Sequence, residues 1–192
     1  MRATFYRNLI RAGSAAALVV VFSCDKKISI VKINDGLSAE EHVKLGMIYF
    51  SNGEFKQAKQ QFRRATVEDR QNPFGWFGLG LCEHRDGHFT SAARDFRTAT
   101  HLKPDYAEAR NNLADALLQL GRLTDAAKEA EQAVRLGGDE AAVYHLTYAQ
   151  VLWARREKEK ACAEAAAAAR MSGGEPAILA QLQPLQEQCR GR

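Results

Sequence analysis

The sequence predicts an all-α fold: a solenoid of antiparallel helix pairs closed by a C-terminal capping helix. Small and apolar residues recur at a spacing of about 34, the period of two-helix repeats. Gly53, Gly87 and Gly121 stand at that same interval, each where a helix has to end through positive φ and reverse. Ser38 with Glu41 three positions on forms a capping box, whose side chains satisfy amides that a helix start leaves unpaired, so the array begins there. Units of this kind bury little alone and gain stability by stacking on their neighbours.

The unit from Pro73 to Tyr106 carries the pattern most completely, with Trp76, Leu79, Gly80, Gly87, Ala92, Phe96, Ala99 and Pro104 at its fixed points. These residues at these offsets resemble the tetratricopeptide repeat (TPR) family. The resemblance implies a right-handed superhelix in which the first helix of each unit lines a concave groove, with a role in binding and not in catalysis. It covers residues 39–170 and is specific to fold, not to role.

Ahead of the array, residues 1–23 have the build of a signal peptide: Arg2, Arg7 and Arg11, an uncharged run from Ala12 to Phe22, then small Ser23 before Cys24. A run of about eleven residues is too short for a bilayer-spanning helix, which needs about twenty. Val21-Phe22-Ser23-Cys24 resembles the bacterial lipobox. That resemblance implies that Cys24 becomes the acylated first residue of the mature chain, anchored to a membrane without spanning it. An ordinary signal peptide, or an uncleaved anchor with an incidental cysteine, is the other reading. Residues 24–37 then serve as a lipidated tether, where Ile28, Ile30, Val31 and Ile33 either make a short strand or pack on the first helix.

Four units follow, at 39–72, 73–106, 107–140 and, in degenerate form, 141–171. In the first, Leu45, Gly46, Tyr49, Gly53, Ala58, Phe62 and Ala65 hold the positions of their counterparts 34 residues on. Glycine at 46 and 80 is expected where two helix backbones nearly touch. The third unit keeps Leu113, Ala114, Gly121, Ala126 and Ala133 but has Ala130 where the others have Phe62 and Phe96, which predicts closer helices. In the fourth, Tyr148, Ala149, Ala161, Ala165 and Ala168 sit 35 beyond their counterparts, and Arg156 replaces the turn glycine. Residues 172–192 read as a capping helix and tail: Pro176 suits a first helical turn, and Ile178, Leu179, Leu182 and Leu185 share one side. Pro184 is expected to kink or break that helix.

The formal charge is +4, from 27 basic and 23 acidic residues; without the three leader arginines, 24 basic residues remain, about +1. A nearly neutral mature chain does not suggest a nucleic-acid partner. If Cys24 is acylated, three cysteines remain, and Cys162 and Cys189 can pair if the last helices are antiparallel. Cys82 reads as a small buried apolar side chain. His42, His84, His88, His101 and His145 lack metal-ligand spacing, and there is no phosphate loop or nucleophile elbow. No catalytic residue, metal, cofactor or small-molecule substrate is predicted.

Mapping the groove positions of the resembled family by offset gives Val43, Met47 and Phe50; Phe74, Phe77, Leu81, His84 and Arg85; Asn111, Asn112, Asp115, Leu118 and Gln119; then Leu146, Gln150 and Trp153. Asn111 and Asn112 offer a peptide backbone both a donor and an acceptor. For the aromatic members the other reading is inter-repeat core, whereas Arg85 and Asn111 are expected to be accessible, because polar side chains are rarely buried unpaired. The lysines of a two-carboxylate clamp, as in chaperone-binding TPR domains, are missing. The partners expected are therefore a protein or extended peptide, and a membrane through the N-terminal lipid. Lipoproteins of similar build help assemble type IV and Flp pili and other secretion machines, so a periplasmic assembly scaffold is the expected function. A self-associating envelope lipoprotein without a foreign ligand is the alternative, and the oligomeric state is left open.

Overall fold

The computed structural model describes residues 36–191. The expected signal segment, Cys24 and nearly all of the expected tether lie outside those residues. Among the described residues the chain forms nine α-helices and no strand: α1 (Ala39–Ser51), α2 (Phe55–Glu68), α3 (Pro73–Arg85), α4 (Phe89–Leu102), α5 (Ala107–Gln119), α6 (Leu123–Leu136), α7 (Ala141–Ala154), α8 (Lys158–Met171) and α9 (Pro176–Arg190). None of these is long and apolar enough to cross a membrane.

Helix starts follow the 34-residue beat at Ala39, Pro73, Ala107 and Ala141. At α3 the reason is local: Asn72 Oδ1 accepts from the amides of Phe74 (3.0 Å) and Gly75 (3.3 Å), and Pro73 fills a first-turn position that needs no N–H. Gly53, Gly87 and Gly121 close the first helices at φ +79, +77 and +70. The fourth unit makes the same turn without glycine, since Arg156 adopts φ +66. The backbone geometry is thus set by the stacking of the array, and the side chain there bears the strain.

Each first helix packs on the second helix that follows it and on the first helix of the next unit, so α1, α3, α5, α7 and α9 form a continuous face. The second helices α2, α4, α6 and α8 are spaced apart, with no Cα atoms of two different second helices within 8 Å. One side of the array is therefore tight and the other splayed, which is how a stack of hairpins curves.

Gly46 and Gly80, expected where two helix backbones nearly touch, instead receive aromatic rings. A Cβ built at Gly46 would stand 2.6 Å from the Phe62 ring, and one at Gly80 would stand 2.5 Å from the Phe96 ring. Gly78 takes the other side of Phe62 from the next unit. Both phenylalanines are fully buried. Where the ring is replaced by Ala130 or Ala165, the partner 16 residues earlier is Ala114 or Ala149, so the ring and the notch that receives it are lost together.

Pro184 does not break the cap: α9 runs unbroken through it. The carbonyl of Ala180, which loses its intrahelical donor to the proline, belongs to an exposed residue and is left to water, so the missing bond is tolerated. On its other face α9 buries Ile178, Leu182 and Leu185 against Leu146, Ala165 and Ala168. A disulfide joins Cys162 on α8 to Cys189 on α9, with the Cα atoms 5.9 Å apart.

Candidate functional site

The first-helix face carries three local constellations. At its N-terminal end a cavity of about 380 Å³ opens between α1 and α3, with Val43, Lys44, Asn72 and Phe74 in its lining. Phe74 is 43 % exposed and packs edge-on against Tyr106 at 5.4 Å, so the ring is held in place while its free side faces solvent. Met47 is also exposed, 43 %. Apolar surface of this kind is available to an incoming side chain.

Farther along, Arg85 lays its guanidinium 3.3 Å from the Phe55 ring centroid and pairs with Asp86 at 3.1 Å. Phe55 in turn meets Phe50 edge-on at 5.3 Å. Arg85 thus remains exposed but is fixed in direction by stacking.

The third constellation is polar and crosses from α3 to α5. His84 Nε2 lies 2.8 Å from Asp115 Oδ2, at ion-pair distance but not in hydrogen-bond alignment. Gln119 donates to the other Asp115 oxygen at 3.2 Å. Burial pushes the Asp115 carboxyl up, yet His84 and the Gln119 amide outweigh it and hold the group below its ordinary value. One turn before Asp115, Asn111 is 7 % exposed and its Oδ1 makes no hydrogen bond within the protein. A buried acceptor without a donor is rare, because a lost hydrogen bond costs about 1–3 kcal/mol.

Several expected groove residues are placed otherwise. Phe77 is core, only 8 % exposed, wedged between Phe96 at 5.7 Å and Tyr106 at 4.9 Å. Leu146 is likewise buried, in the cluster beneath the cap. Asn111 is buried, 7 % exposed, where accessibility was expected. The Asn112 amide donates to its own helix at Glu108 O, 2.7 Å, and so has that donor engaged. Leu81 and Leu118 are half-buried on the central core cluster. Trp153 lies against the cap cluster, with Lys158 Nζ 5.6 Å above its ring, well away from the other constellations. Sequence offsets missed Phe55 and Tyr106, which sit at the start of a second helix and in an inter-repeat turn; no first-helix periodicity points to them.

Cys82 is 1 % exposed, and burial pushes its thiol up to about 11. It is held as the protonated thiol, which is a poor nucleophile. His88 pairs with Glu83 at 3.0 Å across the turn, and Glu83 also pairs with Lys59 at 2.9 Å, so this cluster is an inter-helix tie. No group of three or more metal-ligating side chains able to hold an ion occurs among the described residues.

Stacked hairpins with a continuous first-helix face and a polar-aromatic lining define a helical-repeat interaction scaffold. The chain belongs to the tetratricopeptide repeat family, whose profile matches residues 43–90, 85–141 and 113–176. It is 26% identical over 105 residues to the tetratricopeptide repeat-containing protein trd-1 of Caenorhabditis elegans, which is 55% of this chain and 14% of that one. The chain therefore spans only a small part of that relative's length. Among solved structures it is similar to Pseudomonas aeruginosa pilF, with a TM-score of 0.70 and 19% identity over 80% of this chain and 69% of that one. It is also similar to YrrB, a TPR protein with an unusual peptide-binding site, at a TM-score of 0.64 and 16% identity over 80% and 79% of the two chains. At these identities the likeness is one of fold.

Proposed function

We propose that this chain is a lipid-anchored adaptor, facing the periplasm, whose first-helix face holds an extended peptide or partner segment during assembly of a pilus or secretion machine. The observation that carries the peptide-binding part is the buried Asn111 Oδ1 without a donor, which an amide of an extended backbone would satisfy once the side chain swings outward. Phe74 and the cavity beside it provide a place for one apolar side chain of the same ligand. The His84–Asp115 pair stands next to Asn111 and marks the polar end of the track. The envelope setting is supported by the signal-like leader and the lipobox-like run ending at Cys24, and the assembly role by the likeness to pilF.

Two measurements test the reading separately. Mass spectrometry of the mature N-terminus should find acylated Cys24, and Cys24→Ser should release the chain from membranes; an unmodified Cys24 removes the anchor. Peptides selected from a random extended library on the full chain should lose about tenfold or more in affinity with Asn111→Ala and with Phe74→Ala, the size of a lost buried hydrogen bond or apolar anchor. Binders indifferent to both substitutions overturn the groove.

A further inference from the structure

We infer a second binding site on the opposite, splayed side of the array: a basic cavity between α4 and α6 that takes a phosphoryl anion. The cavity holds about 380 Å³, at the small end of the range of roughly 300–1,000 Å³ typical of ligand sites. It exists because the backbones of the second helices stand apart, so the side chains of α4 and α6 line a gap whose floor is the buried Leu117 of α5. Four of its lining side chains are arginine or lysine (Arg97, Arg110, Arg122 and Lys128), with His101 beside them, against Asp125 and Glu129.

The two carboxylates are already engaged. Glu129 pairs with Arg110 at 2.7 Å, and Asp125 with Arg122. Arg97 and Lys128 have no acidic partner among the described residues, and the cavity is left with two uncompensated positive charges. This is a local excess. Of the 27 basic and 23 acidic residues in the chain, 7 and 2 lie outside residues 36–191, leaving 20 against 21 across the array. An array of net charge −1 has concentrated cations around one gap, at a cost in mutual repulsion that an anion in the gap removes.

The chemistry favours phosphate. Arg110 is held rigidly, because Nε donates to the Pro104 carbonyl at 2.9 Å and Nη1 to Glu129, which leaves its other terminal nitrogen to a ligand. A fixed guanidinium fork beside freer arginine and lysine side chains matches the several oxygens of a phosphoryl group better than one carboxylate. Such a group is available either on a small anion in solution or on a lipid headgroup, and both present the same oxygens.

The test is calorimetric, on the full chain in non-ionic detergent at low ionic strength, with inorganic pyrophosphate in one arm and phosphatidylglycerol mixed micelles in the other. Binding should fall at least about tenfold in Arg97→Ala/Lys128→Ala and stay within twofold in Arg63→Ala/Arg170→Ala, which removes two exposed cations elsewhere. Glu129→Gln, whose amide oxygen can still accept from Arg110 Nη1 but which removes a negative charge from the cavity, should tighten binding severalfold, a gain that misfolding cannot imitate. Response to pyrophosphate alone assigns a soluble anion; response to the micelles with the same sensitivity assigns a headgroup. Absence of binding in both arms, equal loss in the two double variants, or no gain with Glu129→Gln overturns the site.

Discussion

The ring-in-notch pairs state the stability of the array at the scale of single atoms. Gly80→Ala should destabilise by about 1–2 kcal/mol: overpacking against the buried Phe96 ring costs about 1–3 kcal/mol, and the better helix propensity of alanine returns part of it. Phe96→Ala alone should cost about 3–5 kcal/mol, and the double variant should be more stable than Phe96→Ala because it restores the pairing seen at Ala114 and Ala130. Urea unfolding of the three variants measures this. Arg156→Gly should raise stability by about 1 kcal/mol, since glycine adopts φ +66 without the clash that the arginine Cβ makes. Asp95, 2 % exposed, has its carboxyl raised by burial, against a lowering hydrogen bond from Arg94. With its folded pKa above the unfolded one, the group makes stability fall as pH rises through that interval. Asp95→Asn should therefore raise the melting temperature at pH 7, by a margin that shrinks as pH drops below the ordinary aspartate range. The glycine notches were legible in the sequence as recurring small residues, but their cause was not, because the partner that fills each notch lies 16 residues away on another helix.

At the scale of helices, the starts of the first helices and the turns after them were legible, because turn glycines and the 34-residue beat report backbone conformations that few residues tolerate. Pro184, expected to kink or break α9, does not break it, because a proline's effect depends on whether the orphaned carbonyl can reach water, and that depends on which side of α9 faces the array. The groove was only partly legible for the same reason. Periodicity places Phe74 and Phe77 on the same helix face, and only packing decides that the first is exposed and the second is core. The disulfide between α8 and α9 closes a separation of 27 residues, so its removal should cost about 3–4 kcal/mol by the loss of chain constraint. Thermal melts of Cys162→Ser/Cys189→Ser, compared with the oxidised parent, check this; an unchanged midpoint would show that α9 holds by packing alone.

On the scale of the whole array, contacts run only between neighbours, so stability is distributed and the ends matter most. Truncation after Ser172 removes Ile178, Leu182 and Leu185 and wets Leu146, Ala165 and Ala168. At about 1.5–3 kcal/mol for each large buried side chain, the shortened chain should melt earlier and self-associate, which light scattering detects. The pairing of Gly46 with Phe62 and of Gly80 with Phe96 lies within each hairpin, not between hairpins. A recombination event that splits a unit at its turn, joining the helix of Ala114 to the helix of Phe96, produces a collision, and the reciprocal product leaves a hole. Gly78 receives the same Phe62 ring from the next unit, so a join between hairpins is tolerated only where the incoming first helix also carries a small residue at that place.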